Sequence, residues 1–129
     1  MEKVIARPLE RGSVIGRGSE ILRIEYSLGG MTVYVRDVEG NGFAVVFEDV
    51  RGYRVLDERN LAEYWPECSE PNGRIFEVES GGWLDQERRL PLFLEFELIA
   101  DLKEFLVAGI EDCVSVLCVE PPEVRRHAL

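Results

Sequence analysis

The chain is short of several things that chemistry usually needs. It has a single histidine, His127, three cysteines, and no uncharged apolar run of the length a membrane helix requires. With one imidazole, sited in a polar tail, any Ser-His or Cys-His mechanism would depend on a fraying end of the chain. A tetrahedral zinc site wants four ligands, and three cysteines with His127 do not cluster in sequence. An odd number of cysteines forms no disulfide framework and fits a reducing cytoplasm, where the protein is expected. Positive charge is also scarce: 15 Lys and Arg face 25 Asp and Glu, for a net charge of -10. That balance argues against binding nucleic acid or anionic lipid, both of which reward cations facing phosphates. No Gly-Lys-Ser/Thr occurs, and Gly16-Arg-Gly18 lacks a third glycine and runs into a strand, so no phosphate loop is expected. The opening apolar run is broken by Arg7 and Pro8, which does not read as a secretory signal. Neither a cofactor nor a metal is expected.

What is present is the material of one folded domain spanning residues 1–129, with 46% apolar and 31% charged residues. Ile24, Tyr26 and Leu28 alternate with Arg23, Glu25 and Ser27; Gly29-Gly30 offers a turn; Met31 to Arg36 continues as a second strand. Phe43 to Phe47 and Tyr53 to Leu56 follow after Gly-bearing turns, which predicts a four-strand antiparallel meander. Asp57 is placed to cap a short helix carrying Leu61, Tyr64 and Trp65, ended by Pro66. Ile75 to Val78, Leu92 to Ile99 and Phe105 to Val107 are strand candidates, and Trp83 to Leu90 reads either as a helical turn or as an irregular crossing. Cys113 to Val119, apolar on both faces, predicts a central, doubly covered strand stopped by Pro121-Pro122, with a frayed tail from Glu123. The expected fold is α+β, mostly β: a curved antiparallel sheet of about six to eight strands with one or two short helices.

Several constellations invite a chemical reading. Asp37, Glu39, Asn41, Gly42 and Glu48 fall at positions 1, 3, 5, 6 and 12 of a calcium-loop template. That loop works between helices, whereas strands flank this one, and an extended chain carries Glu48 away from Asp37; a hairpin turn at Gly40, Asn41 and Gly42 is expected instead. Cys113 and Cys118 are an odd number of residues apart and point to opposite faces of their strand, as small core residues. The pairs Glu77/Glu79 and Glu95/Glu97 each share a strand face, the pattern of a solvated surface more than of an acid–base pair. No catalytic residue is assigned. More deliberate is the aromatic and acidic group Tyr53, Arg54, Glu58, Glu63, Tyr64, Trp65 and Glu67, the candidate partner-binding residues, since Trp and Tyr serve as interface anchors. For Trp65 the competing account, core packing, is the stronger one on sequence.

The run Phe47-x-x-Val50-x-x-Tyr53-Arg54-x-x-Asp57-Glu58, the Ser80-x-x-Trp83 spacing and the closing Glu104-Phe-Leu-Val with Asp112 to Val119 resemble small uncharacterised bacterial proteins. Some of these are grouped with the immunity proteins of polymorphic toxin systems. The resemblance implies a non-enzymatic, cytoplasmic protein that binds and blocks a partner, and it transfers no catalytic residue. The expected function is therefore a protein-binding module, an immunity-type inhibitor whose acidic surface meets a basic protein. Two alternatives stand beside it: a curved sheet holding a small molecule among Phe43, Phe47, Phe93 and Phe96, and a carboxylate-dependent enzyme using the Glu pairs. A homo-oligomer through an exposed edge strand is a further possibility if the last apolar strand lies at an edge.

Overall fold

Met31, Val33 and Val35 alternate with Thr32, Tyr34 and Arg36, and Phe43, Val45 and Phe47 alternate with Ala44, Val46 and Glu48. The first member of each set is buried, so each strand turns one apolar edge toward a core. The computed structural model describes residues 3–90 and 101–128, and of residues 58 and 70 only the backbone. Its strands are β1 (Ile5–Pro8), β2 (Glu20–Ser27), β3 (Gly30–Arg36), β4 (Gly42–Glu48), β5 (Gly52–Asp57), β6 (Ile75–Ser80), β7 (Lys103–Ala108), β8 (Asp112–Cys118) and β9 (Glu123–Arg126). Two short α-helices, α1 (Trp65–Cys68) and α2 (Trp83–Arg88), and several 3-10 turns complete the described elements.

The fold is mostly β and antiparallel, with the strands divided between two sheets. One has five strands in the order β1-β6-β7-β8-β5; the other has four in the order β2-β3-β4-β9. The meander expected from sequence holds for β2, β3 and β4, but β5 leaves it and pairs with β8. The departure is made at Asp49, whose φ of 51° reverses the chain, while Val50 is buried in the core and the Arg51 N–H bonds to Leu117 O.

Between the sheets lies the larger core: Val33, Val35, Phe43, Val45 and Phe47 from one side meet Ile75, Phe105, Val107, Val114 and Val116 from the other. The outer face of the five-stranded sheet is also buried. There Phe76, Val78, Leu106 and Cys113 pack under Leu61, Tyr64 and Cys68 of the helical layer, and Leu117 packs with Leu84 of α2. β8 thus has strands on both sides and cover on both faces, as its uninterrupted apolar sequence requires. The outer face of the four-stranded sheet is solvated and lined with ion pairs, Arg23 with Glu25, Arg36 with Glu20, and Arg125 with Glu123.

Several local expectations change. The tail does not fray: Glu123 to Arg126 forms β9 on β4, and Val124 packs against the inter-sheet core. Pro66 sits in the first turn of α1 instead of ending a helix, a position where its missing N–H costs nothing. Asp57 does cap, its carboxylate accepting from the Arg59 N–H at 2.9 Å, but what it caps is a 3-10 segment, Glu58–Tyr64, kinked at Leu61. Trp83 to Arg88 is the helix α2. Tyr26 remains exposed because β2 lies at the edge of its sheet, and Leu28, expected on the same strand face, falls in the turn after β2 and is fully exposed. The strand expected over Leu92 to Ile99 lies outside the described residues. Among the described residues no helix is long and apolar enough to cross a membrane.

Candidate functional site

Glu104 is a carboxylate that sequence pattern alone would not single out. It lies on the covered face of β7, 1% exposed, beneath the N-terminus of α2. The Tyr64 hydroxyl donates to its Oε2 at 2.7 Å, and the Leu84 N–H donates to its Oε1 at 2.9 Å. Tyr64 Oη in turn accepts from the Trp83 N–H at 2.7 Å and from Arg54 Nη2 at 3.4 Å, and the Arg54 guanidinium lies 5.0 Å over the Trp83 ring. Together Glu104 and Tyr64 satisfy two N–H groups that the first turn of α2 cannot pair internally. Burial pushes the Glu104 carboxyl above its usual range, against the hydrogen bonds from Leu84 and Tyr64 and the nearby Arg54 charge. Burial, then the Glu104 charge and hydrogen bond, raise the Tyr64 phenol. Both oxygens of Glu104 are committed to packing α2 onto the sheet, so the arrangement is a structural lock, with Gly82 making room for it. A Cβ at Gly82 would sit 2.7 Å from both Glu104 Oε1 and Tyr64 Oη.

Beside this lock, the helical layer and the sheet leave a cavity of about 680 Å³. Leu106 and Ala108 of β7 and Cys113 of β8 form its floor; Leu61, Tyr64 and Cys68 form the opposite wall. The volume is that of an ordinary ligand or side-chain pocket, within roughly 300–1,000 Å³. Two large apolar residues stand at its mouth, Trp65 at 47% exposure and Ile110 at 44%. Ile110 is held there. Its N–H donates to Ser19 O at 2.9 Å, the Gly109 N–H donates to Asp112 O at 2.9 Å, and Ser19 Oγ donates to Ala108 O at 3.4 Å. A Cβ at Gly109 would meet Asp112 O at 2.6 Å, so the turn between β7 and β8 closes tightly only with glycine. On its other side Ile110 borders a notch lined by Asp57, Arg59, Glu111 and Asp112.

The structure separates the residues that sequence had grouped. Tyr64 is buried at 1% exposure with its hydroxyl tied to Glu104, so it contributes to the cavity wall and not to the exposed surface. Arg54 is half-buried in the same lock. Tyr53, its neighbour in β5, points to the opposite face and stacks on Tyr26 with centroids 5.3 Å apart, away from Trp65. Trp65 is not core: it stands exposed at the cavity mouth, and Glu63 and Glu67 flank it in sequence on the same helical wall. The Glu58 side chain lies outside the described residues.

Other candidates resolve on geometry. Residues 37–48 form a hairpin in which Arg36 pairs with Gly42 and Glu48 pairs with Gly30 at the far end of β4. Its turn runs over Asp37 to Asn41, with Gly42 already in the strand. Asp37 is buried and anchors the turn, Oδ1 accepting from the Glu39 and Asn41 N–H groups and Oδ2 from the Gly16 N–H. Burial raises its carboxyl, but those hydrogen bonds together outweigh burial and hold it below the usual value. Arg7 engages both Glu77, at 2.9 Å, and Glu79, at 3.7 Å; Glu95 and Glu97 lie outside the described residues. Phe43 and Phe47 are buried in the inter-sheet core, with Phe47 also bordering an open depression over β2, β3 and β4, and Phe93 and Phe96 are outside the described residues. Cys118 faces the inter-sheet core and Cys113 the outer cluster, as their odd spacing requires, while Cys68 joins Cys113 at the cavity. Burial pushes the Cys68 and Cys118 thiols up to about 12, which leaves them poor nucleophiles. His127 stacks on Tyr34 of β3, centroids 4.8 Å apart.

Compared with known proteins, the chain matches no family model, no curated protein and no solved structure.

Proposed function

We propose that the protein is a non-enzymatic, protein-binding module whose contact site is the cavity mouth at Trp65 and Ile110. The observation that carries this reading is the pair itself: two large apolar side chains exposed at the mouth of a mainly apolar hole, Ile110 held there by a hydrogen-bonded turn. Exposed aromatic and aliphatic residues rimming a pocket are the usual anchors of an interface. The net charge of -10 suits a basic partner and faster, oriented association. In the immunity-type form of this reading, occupancy of the cavity by a toxin segment blocks that toxin.

Affinity capture with immobilised wild-type protein, Trp65→Ala, Ile110→Ser and Tyr34→Ser tests it, with circular dichroism confirming that each is folded. The expected result is a partner retained by wild type and by the Tyr34 variant, whose change lies on the outer face of the four-stranded sheet, and lost by both cavity-mouth variants. Equal capture by all four, or none by wild type, would overturn the reading.

A further inference from the structure

The cavity and the acidic notch share one residue, Ile110, and are therefore two halves of one surface. In the notch, Asp57 and Asp112 are cross-strand partners in the β5–β8 register. Like charges placed directly opposite on a sheet destabilise it. Arg59 meets the Asp57 side of that opposition, its Nε and Nη2 both engaging Asp57, each at 3.1 Å. Asp112 and the exposed Glu111 beside it have no ion-pair partner among the described residues. Among the described residues, two carboxylates without an ion-pair partner thus lie next to a mouth whose Ile110 is fixed by the Gly109–Asp112 turn.

Resting on the protein-binding reading above, we infer that the occupant is a partner segment carrying an apolar side chain beside a Lys or Arg, the apolar group entering the cavity and the cation crossing Ile110 into the Glu111–Asp112 notch. Charge complementarity selects this chemistry, because a cation there relieves the Asp57–Asp112 opposition that the free protein carries. A neutral apolar segment would fill the same hole without that gain, and an anionic one would meet Arg74 of the cavity lining but be opposed by Asp57, Glu111 and Asp112 of the notch.

The minimal probes are n-octylammonium and octanoate, equal in chain length and opposite in head charge, titrated against Trp65 fluorescence with Trp65→Phe as the signal control. Octylammonium is expected to bind at least tenfold more tightly than octanoate at low salt, with the preference shrinking in 0.5 M salt, where the screening length is only a few ångströms. E111Q/D112N should reduce the preference to within about twofold, whereas E10Q/E39Q, which removes the same charge from exposed sites elsewhere, should leave it intact. D112N alone should leave the melting temperature unchanged or higher. Should the double variant fail to fold, E111Q alone, at an exposed turn position, carries the test with a drop of threefold or more. Equal binding of the two probes, or equal effects of the two charge pairs, overturns the inference and spares the cavity as an apolar site. Failure of both probes to bind sinks the cavity reading along with it.

Discussion

Tyr64 concentrates in one hydroxyl what holds the helical layer to the sheet. Tyr64→Phe keeps the ring and its packing, but it strips Glu104 Oε2 of a donor and the Trp83 N–H of an acceptor. Each buried group left unpaired costs about 1–3 kcal/mol, so urea denaturation should show a loss in that range or above it, against a much smaller effect for the exposed Tyr26→Phe. Glu104 makes stability depend on pH. Its folded carboxyl binds a proton more tightly than the ordinary value of 4.5, so between 4.5 and the folded value the native state holds more protons than the unfolded one. Stability from this group is complete below 4.5 and is lost as pH rises through the folded value. Glu104→Gln, which cannot titrate, should flatten that decline in denaturation midpoints measured from pH 4.5 to 8. Asp37 acts in the opposite sense. Its lowered folded value keeps stability above the ordinary 3.8, and that stability is lost as pH falls through the folded value, in wild type and variant alike.

At the scale of elements, α2 is the clearest dependency. With six residues it is too short to stand alone in water, where isolated helices need roughly 12 or more. It exists because Glu104, Tyr64 and the Asp85 carboxylate, which accepts from the Gly81 N–H at 2.7 Å, complete its first turn. Gly82→Ala would drive a Cβ into two of those groups, and a loss of about 1–3 kcal/mol is expected from denaturation, with the far-ultraviolet spectrum losing helix before strand. The strands were legible in the sequence wherever alternation or a continuous apolar run was strong, as in β3, β4 and β8. What was hidden has a physical reason in each case. The exit of β5 from the meander turns on Asp49 at positive φ, which composition does not announce. Tyr64 and Trp65 exchanged roles because the segment is 3-10: with three residues per turn, Leu61 and Tyr64 share the buried face and Trp65 projects off it. Glu104 looked like any strand glutamate, since only the docking of α2, some twenty residues earlier in the chain, reveals its task. The cavity needs the 3-10 segment, α1, β7 and β8 together, and no single stretch of sequence contains it.

For the whole molecule, charge and layering set the behaviour. The hairpin at residues 37–48 matches a metal template in letters, but its first carboxylate is spent on three backbone N–H groups. Millimolar calcium should therefore leave the melting temperature unchanged, and a clear upward shift would mean that the loop can reorganise around an ion. The pairing scheme has a consequence for time. β1 waits for β6, β5 for β8 and β4 for β9, each partner lying tens of residues further along the chain. Loop closure on that scale must precede the contacts that reward it, which places refolding on the order of milliseconds to seconds. The strand that completes the four-stranded sheet is also the last of the described strands to be synthesised. Until β9 arrives, β4 is an unpaired apolar edge, and in that interval the nascent protein is most open to joining a neighbour instead of itself.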